Sequence, residues 1–309
     1  MTLSRICQPI ACLGLFALVG LAAGCGGKEQ EADEAVVVTE PGKEVPTASS
    51  PAASTTAPAA STPAAATPST PAAPAKAEGY GSVKGQVTFN GNPTAPKELV
   101  AKGQAPKDPA ICAKDAPIES ERLIIDGGTK GVKNALVYIP KPNGKVSEEA
   151  ISAAKQAKVE FDQKHCIFEP HVLALMAGTE VDLKNSDPIN HNINSRLKNN
   201  QFNKLISGGQ SVPNPIETAE RTPGQLTCDI HPWMSAYWMV LDNPYFAVTD
   251  DKGNYEIKDV PAGAQKVVVW QESVQGGFVT PGSGDVVTVK ANDTTTKDFK
   301  IDAGKVRPE

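Results

Sequence analysis

The most informative part of the sequence is TCDIHPWM, at positions 227–234. It places a thiol, an imidazole and a thioether at the spacing C-x2-H-x2-M, through Cys228, His231 and Met234. A second imidazole, His191, stands 37 positions before Cys228, in the run NSDPINHN at 185–192. Together these side chains offer one thiolate, two imidazoles and one thioether. That set predicts a copper site with a trigonal His2Cys plane and a weak axial sulfur bond.

The spacing has a mechanical reason. A tight loop between two strands can hold Cys228, His231 and Met234 around one ion, whereas His191 must arrive from a distant strand end. A thioether is a poor zinc ligand, which disfavours zinc. The remaining alternative is a domain that kept this loop and lost its metal.

The same residues resemble the ligand loop of cupredoxins, the blue copper proteins of the amicyanin and plastocyanin type. The loop is most similar to that of amicyanin, with a proline and an aromatic residue between His and Met. The stretches FEP at 168–170 and GTEVDLKN at 178–185 match the cupredoxin run that leads into the first histidine. The resemblance implies that His191, Cys228 and His231 are equatorial ligands of a type 1 copper and that Met234 is axial.

Neighbouring residues take supporting roles in this resemblance. Asn192 is expected to hydrogen-bond across to the ligand loop and hold it rigid, with Thr227 also behind the ligands. Cupredoxins commonly exchange electrons through an exposed edge of the loop histidine, within an apolar surface. Pro232 and Trp233 are therefore candidates for partner docking, although Trp233 suits a place in the core equally well.

The chain from about residue 79 onwards alternates short apolar runs with Gly, Pro, Asn and Asp turns, which predicts an all-β fold. One helix is expected, at about 148–158, with Ser147 as its N-cap. The predicted strands lie at 82–89, 135–139, 159–162, 172–177, 180–184, 238–241, 247–249, 266–271, 285–290 and 297–301.

Two further segments, 81–91 and 246–263, resemble the first strand and the second half of carboxypeptidase regulatory-like (transthyretin-like) domains. The resemblance implies a Greek-key, cupredoxin-like β-sandwich at 159–244, inserted in or packed on a regulatory-like sandwich made of 79–140 plus 245–303. One merged sandwich is the alternative.

The N-terminal part predicts export and anchoring. Residues 1–25 combine a positive start, an apolar stretch and the run LAAGCGG at 21–27, which resembles a lipobox with Cys25 as the lipidated residue. A cleaved, secreted protein is the alternative. Residues 26–78 are first acidic and then rich in Pro, Ala, Ser and Thr, which predicts a disordered linker.

Cysteine and histidine usage supplies further expectations. Cys112 and Cys166 remain after the signal, the lipid and the metal have been assigned, and an exported protein can pair them in a disulfide. The alternative is two free buried thiols. His165 and His171 are expected to be surface or capping residues, with a contact to a metal left open.

The composition narrows the function. Net charge is −5 without a basic stripe, which argues against nucleic acid as a partner. Four histidines are too few for the second copper site of a multicopper oxidase or a copper nitrite reductase, so an enzyme is not expected. The hypothesis is a copper protein that carries single electrons between redox partner proteins of the cell envelope, anchored to the membrane through Cys25. The alternatives are a copper carrier without electron transfer and a metal-free structural or interaction sandwich.

Overall fold

The computed structural model describes residues 79–309; the predicted signal, Cys25 and the predicted linker lie outside this range. Within it the regular secondary structure is almost all strand, so the expected all-β fold is confirmed, and every strand predicted from the sequence overlaps an observed one. Within the described residues, no helix has the length and apolar character needed to cross a membrane. The elements are β1 (Tyr80–Asn90), β2 (Glu98–Val100), β3 (Ile118–Glu119), β4 (Leu136–Tyr138), α1 (Glu148–Gln156), β5 (Val159–Lys164), β6 (Ile167–Glu169), β7 (Val172–Met176), β8 (Thr179–Asn185), β9 (His191–Ser195), β10 (Phe202–Ile206), β11 (Ser211–Ile216), β12 (Gly224–Thr227), β13 (Ser235–Leu241), β14 (Phe246–Val248), β15 (Asn254–Pro261), β16 (Gly263–Trp270), β17 (Asp285–Val289), β18 (Thr294–Thr296) and β19 (Phe299–Asp302), followed by a 3-10 turn at Ala303–Lys305.

Strands from both ends of the described chain form one sandwich, called here the terminal sandwich. One of its sheets has the order β15-β1-β18, with β19 also paired to β1, and the other has the order β14-β4-β16-β17. The strand β15 reads NYEIKDVP, and its first four residues alternate between exposed and buried. Such alternation places one face of a strand on the core, because successive side chains point to opposite faces.

Strands β5 to β13 form the second sandwich, called here the ligand sandwich. Its sheets have the orders β10-β9-β12-β13-β7 and β11-β8-β5-β6. Phe161 and Trp238 lie at its centre with their ring centroids 4.9 Å apart in an edge-to-face arrangement. Alternating burial is also clear in β8, which reads TEVDLKN.

The two sandwiches pack against each other through an apolar seam. All three residues of β4 are buried, because this strand faces the core of the terminal sandwich on one side and the seam on the other. Tyr237 of the ligand sandwich and Trp270 of the terminal sandwich approach within 5.0 Å, measured between ring centroids. The buried residues of the seam are Leu136, Tyr138, Val172, Met239, Leu241, Val268 and Trp270.

The helix α1 links the two sandwiches along the chain. Ser147 is its N-cap, as expected, since the Ser147 side chain accepts a hydrogen bond from the Ala150 amide. The Ser147 amide in turn donates to the hydroxyl of Tyr245, which is buried in the terminal sandwich. The helix ends at Gln156, two residues earlier than predicted.

Residues 98–120 form a segment called here the strap, which begins with β2, ends just after β3 and turns between them. The strap lies within the 79–140 range predicted for the regulatory-like sandwich. Its buried apolar side chains nevertheless join the core of the ligand sandwich; they are Val100, Ala105, Cys112, Ala113 and Ile118.

A disulfide fastens the strap to the ligand sandwich. It joins Cys112 of the strap to Cys166, which lies in the turn between β5 and β6, so the predicted pairing is confirmed. The strap therefore has both a covalent and an apolar attachment to the sandwich that carries the loop 227–234.

Candidate metal centre

The topology of the ligand sandwich brings the distant histidine to the short loop. His191 is the first residue of β9, whereas Cys228 and His231 lie in the loop that joins β12 to β13. Since β9 and β12 are antiparallel neighbours, the beginning of β9 lies at the same end as the loop. The structure thus brings together residues that are far apart in sequence.

Three of the predicted ligands converge in a buried group. The Nδ1 atoms of His191 and His231 are 2.8 Å apart, and the Sγ atom of Cys228 lies 3.8 Å from His231 Nδ1. One ligand atom from each of the three residues lies within 4.8 Å of the other two. Both histidines are 0% exposed and Cys228 is 2% exposed, so water is largely kept away.

Each histidine is held from behind by a carboxylate. His191 Nε2 lies 2.9 Å from Asp187 Oδ2, and His231 Nε2 lies 2.9 Å from Asp108 Oδ2. A carboxylate at Nε2 fixes the ring orientation and the tautomer, and it makes the opposite nitrogen a stronger donor. Both rings are therefore oriented with Nδ1 toward the common centre.

The turn that carries the disulfide positions Asp187. The backbone amides of His165 and Cys166 donate to the two carboxylate oxygens of Asp187, each at 2.8 Å. These bonds and the hydrogen bond to His191 outweigh burial and hold the pKa of Asp187 below its ordinary value. Asp187 therefore faces His191 as a charged carboxylate.

The protonation states of the centre follow from these contacts. Burial opposes the charge on His191, but its hydrogen bonds to Asp187 and Cys228 outweigh burial and raise the pKa of His191 to about 9. Burial lowers the pKa of His231, although the hydrogen bond to Asp108 favours the charged form. One proton therefore lies between the two Nδ1 atoms, where protonated His191 donates it and neutral His231 accepts it.

The thiol of Cys228 is prepared for ionisation. Burial would raise its pKa, but the hydrogen bond with His191 and nearby backbone amides hold the pKa of Cys228 below its ordinary value. Since a thiolate is the form that binds metals, this environment favours a ligand over an inert buried thiol.

A network of amides crosses from β9 to the ligand loop. Asn192 Oδ1 accepts from the Asp229 amide at 2.7 Å and lies 3.4 Å from Cys228 Sγ. The Asp229 carboxylate accepts from Asn192, Asn194 and Asn203. These bonds tie the start of the loop to β9 and β10.

The remaining predicted residues of the loop occupy different environments. Met234 is buried, and its amide donates to the His231 carbonyl at 3.0 Å. Trp233 is half-buried, lies 5.2 Å from the His231 ring by centroids, and donates its indole N–H to the Cys166 carbonyl. Pro232 is exposed. The buried hydroxyl of Thr227 makes no hydrogen bond within the described residues.

The chemistry of the donors fits copper. Two imidazole nitrogens and one ionisable thiol face a common point, while the opposite nitrogens are occupied by carboxylates. Soft sulfur together with imidazole suits both copper oxidation states. His191, Cys228 and His231 would hold the ion, with the thioether of Met234 as the additional sulfur. Bound copper would supply a one-electron couple.

The other two histidines lie away from this group. His165 has an exposed ring 3.9 Å from Glu169. The expectation of a surface or capping residue was wrong for His171, which is buried beside the seam. Its Nε2 is hydrogen-bonded to Glu272 of the terminal sandwich, and its Nδ1 lies 3.8 Å from Glu121. Although burial opposes a charge on His171, these two carboxylates raise its pKa. Protonated His171 therefore forms an ion pair with Glu272 across the seam.

Both carboxylates behind the ligands were missed from the sequence. Asp187 stands four positions before His191 within the quoted run 185–192, and this spacing in a loop was a usable signal. Asp108 had none, because it comes from the strap, 123 positions before His231. The exposed histidine edge expected for electron exchange is also not observed. Asp108 covers Nε2 of His231, whose side chain is fully buried.

Part of this chain shows low-scoring similarity to several solved structures. No family model and no curated protein matches this chain. Among solved structures, it is similar to a Cu-containing nitrite reductase from Thermus scotoductus (20% identity, 27% of this chain and 22% of that chain, TM-score 0.25). It is also similar to a purple cupredoxin from Nitrosopumilus maritimus (22% identity, 27% and 99%, TM-score 0.23) and to a variant of amicyanin with Cu(I) (17% identity, 34% and 97%, TM-score 0.24). The chain thus spans about a fifth of the nitrite reductase. Scores this low carry no argument about this chain.

Proposed function

We propose that this chain is a type 1 copper protein that carries single electrons at the bacterial cell envelope. The observation that carries the proposal is the convergence of His191, Cys228 and His231 in one buried group at the end of the ligand sandwich. A buried site with fixed ligands changes little when copper gains or loses an electron, because the protein cannot easily rearrange around it.

The surroundings of the ligands support rigidity. Asp187 and Asp108 hold the two rings, and the amide network around Asn192 holds the loop that carries Cys228. With Met234 as a weak axial ligand, the set matches the His2Cys plus thioether arrangement of blue copper centres. In this proposal the protein itself catalyses no reaction.

The cellular setting belongs to the proposal as well. A lipid on Cys25 would anchor the protein to a membrane, and the linker at 26–78 would let the copper sandwich reach redox partner proteins. Pro232, which is exposed, and the half-buried Trp233 would form part of the surface that meets them.

The first test is to load the protein with Cu(II) and to record its visible absorption and EPR spectra. An intense blue band with narrow copper hyperfine splitting supports the proposal, and a protein that takes up no copper contradicts it. Cys228→Ala should abolish the band completely while far-UV circular dichroism stays unchanged.

A matched pair of histidine variants distinguishes a copper ligand from a histidine outside the centre. His191→Ala should lose the blue band, whereas His165→Ala should keep it, because the His165 ring is exposed and contacts Glu169 instead of the centre. Equal spectra for both variants would contradict the proposed ligand set.

One observation favours a second candidate, a copper-holding protein that does not transfer electrons. The edge of His231 is covered by Asp108 and is 0% exposed, so the loop histidine offers no open contact to a partner. Electron self-exchange decides between them: a rapid rate supports the electron carrier, and a very slow rate with transfer of copper to an acceptor supports the second candidate.

A further inference from the structure

We propose that Asp108 of the strap is a positioning residue for the copper centre, held against His231 by the Cys112–Cys166 disulfide, and that it favours Cu(II) over Cu(I). This inference rests on the proposed copper site and adds a residue that the ligand loop itself does not supply. It is carried by contacts among Asp108, Cys112, Cys166 and His231.

The first contact joins Asp108 to the loop histidine. Asp108 Oδ2 lies 2.9 Å from Nε2 of His231, whose ring is fully buried, while the Asp108 side chain is 41% exposed. The strap therefore reaches in from the surface and seals the edge of the ring. Because Nε2–H donates to the carboxylate, Nδ1 is the nitrogen that is free to bind a metal.

The second contact joins Asp108 to the disulfide. The Asp108 carbonyl accepts hydrogen bonds from the amides of Ile111 and Cys112, both at 2.9 Å. Asp108 has φ 49°, in the left-handed region that Asp and Asn tolerate better than most residues. The tight turn thus fixes Asp108 only a few residues from the sulfur that anchors the strap.

The third contact shows that the same disulfide reaches the other histidine. Cys166 donates its amide to Asp187, which pairs with His191, and the Cys166 sulfur, Asp187 and His191 place ligand-type atoms within 4.8 Å of one another. One cross-link therefore holds both carboxylates that lie behind the two histidines. The strap therefore positions a carboxylate at the copper centre in addition to packing against the ligand sandwich.

The chemical consequence follows from charge. A carboxylate that accepts a hydrogen bond from Nε2–H increases electron donation from Nδ1, and a more basic ligand stabilises the more highly charged ion. Removal of Asp108 should weaken the binding of Cu(II) more than the binding of Cu(I). The reduction potential should rise accordingly.

The test compares three single variants of the full chain by reduction potential and by competition titrations with Cu(II) and Cu(I). Asp108→Ala should weaken Cu(II) binding by about 10-fold or more, in line with the loss of other carboxylates behind metal ligands. If Cu(I) binding were unchanged, a tenfold loss would raise the potential by about 59 mV. Asp108→Asn tolerates the same backbone and should lie between Ala and wild type.

The matched control is Asp115→Ala, which removes an exposed carboxylate from the same strap and should leave potential and affinity unchanged. A blue protein in which the Asp108 and Asp115 variants behave alike would overturn the inference and leave the proposed function standing. A wild-type protein that binds no copper would overturn both.

The role of the disulfide is tested by Cys112→Ser/Cys166→Ser, which keeps Cys228. We expect the potential to rise in this double variant, and Asp108→Ala to add little to it, because the strap is already released. Full additivity of the two effects would overturn the claim that the disulfide holds Asp108 in place.

An NMR measurement on the metal-free protein distinguishes a residue that positions His231 from one that only stabilises the fold. In the metal-free wild type, the Nε2–H proton of His231 should be protected from exchange and visible by NMR. It should be lost in Asp108→Ala and retained in Asp115→Ala. Rapid exchange of that proton in the wild type would overturn the inference.

Discussion

The terminal sandwich and the ligand sandwich use buried polar groups in different ways. In the terminal sandwich such groups secure turns: Thr249 donates to the Val132 carbonyl and accepts from the Ala135 amide, and Gln265 bonds to Asn143 and Pro261. In the ligand sandwich, buried His191, His231 and Asp187 converge on one another. The first arrangement stabilises a fold, and the second holds ionisable groups close together where a metal can replace a proton.

Truncation of a core side chain in either sandwich tests whether the two sandwiches unfold independently. Leu183→Ala in the ligand sandwich and Ile257→Ala in the terminal sandwich each remove a buried side chain, at an expected cost of about 2–5 kcal/mol. Because the seam joins the sandwiches and the terminal sandwich contains both ends of the described chain, we expect each variant to shift the same single unfolding transition.

Chemical unfolding followed by far-UV circular dichroism and by the copper band checks this expectation. If Ile257→Ala lowered the circular-dichroism midpoint and left the midpoint of the copper band unchanged, the two sandwiches would unfold separately.

The same contrast explains what the sequence could predict. The strand β8 was predicted because it alternates apolar and polar residues, and this pattern arises directly from a sheet with one buried face. The strand β11 was missed because it contains Pro213 and Pro215. It lies at the edge of its sheet, where a missing N–H is tolerated.

Strands β9 and β10 were missed for another reason. They carry Asn192, Asn194 and Asn203, which have low strand propensity, and the structure uses these amides to hold Asp229 of the ligand loop. Here the hydrogen bonds to Asp229 override the low strand propensity of asparagine. The ligand spacing in 227–234 was readable because a single loop supplies it, whereas the contact of Asp108 depends on the path of the whole strap.

The next effect concerns pH and is specific to the ligand sandwich. The folded state raises the pKa of His191 to about 9, from an ordinary value of about 6.5. Protonated His191 therefore stabilises the metal-free fold fully below about pH 6.5, and this contribution is lost as pH rises through about 9.

Copper binding should show the opposite trend, because the metal must displace that proton from Nδ1 of His191. We expect the apparent affinity for Cu(II) to rise by about tenfold per pH unit below pH 9, for each proton released. Competition titrations between pH 6 and 9 check this. Asp187→Asn should lower the pKa of His191 and move the dependence to lower pH; an affinity independent of pH in the wild type would contradict the assignment.

The smallest effect tests the seam itself. Tyr237 and Trp270 come from different sandwiches, with ring centroids 5.0 Å apart, whereas Tyr255 and Phe299 lie 6.0 Å apart within the terminal sandwich. A double-mutant cycle with alanine at each pair should give a coupling of about 0.5–1.5 kcal/mol, the usual contribution of an aromatic pair beyond its buried area. If the seam is as well packed as a core, the two couplings should agree within that range.

A coupling near zero for Tyr237 and Trp270, with a normal value for Tyr255 and Phe299, would mean that the sandwiches do not hold this contact in solution. The charge pair of His171 with Glu272, which depends on the same seam, would then lose its structural basis as well.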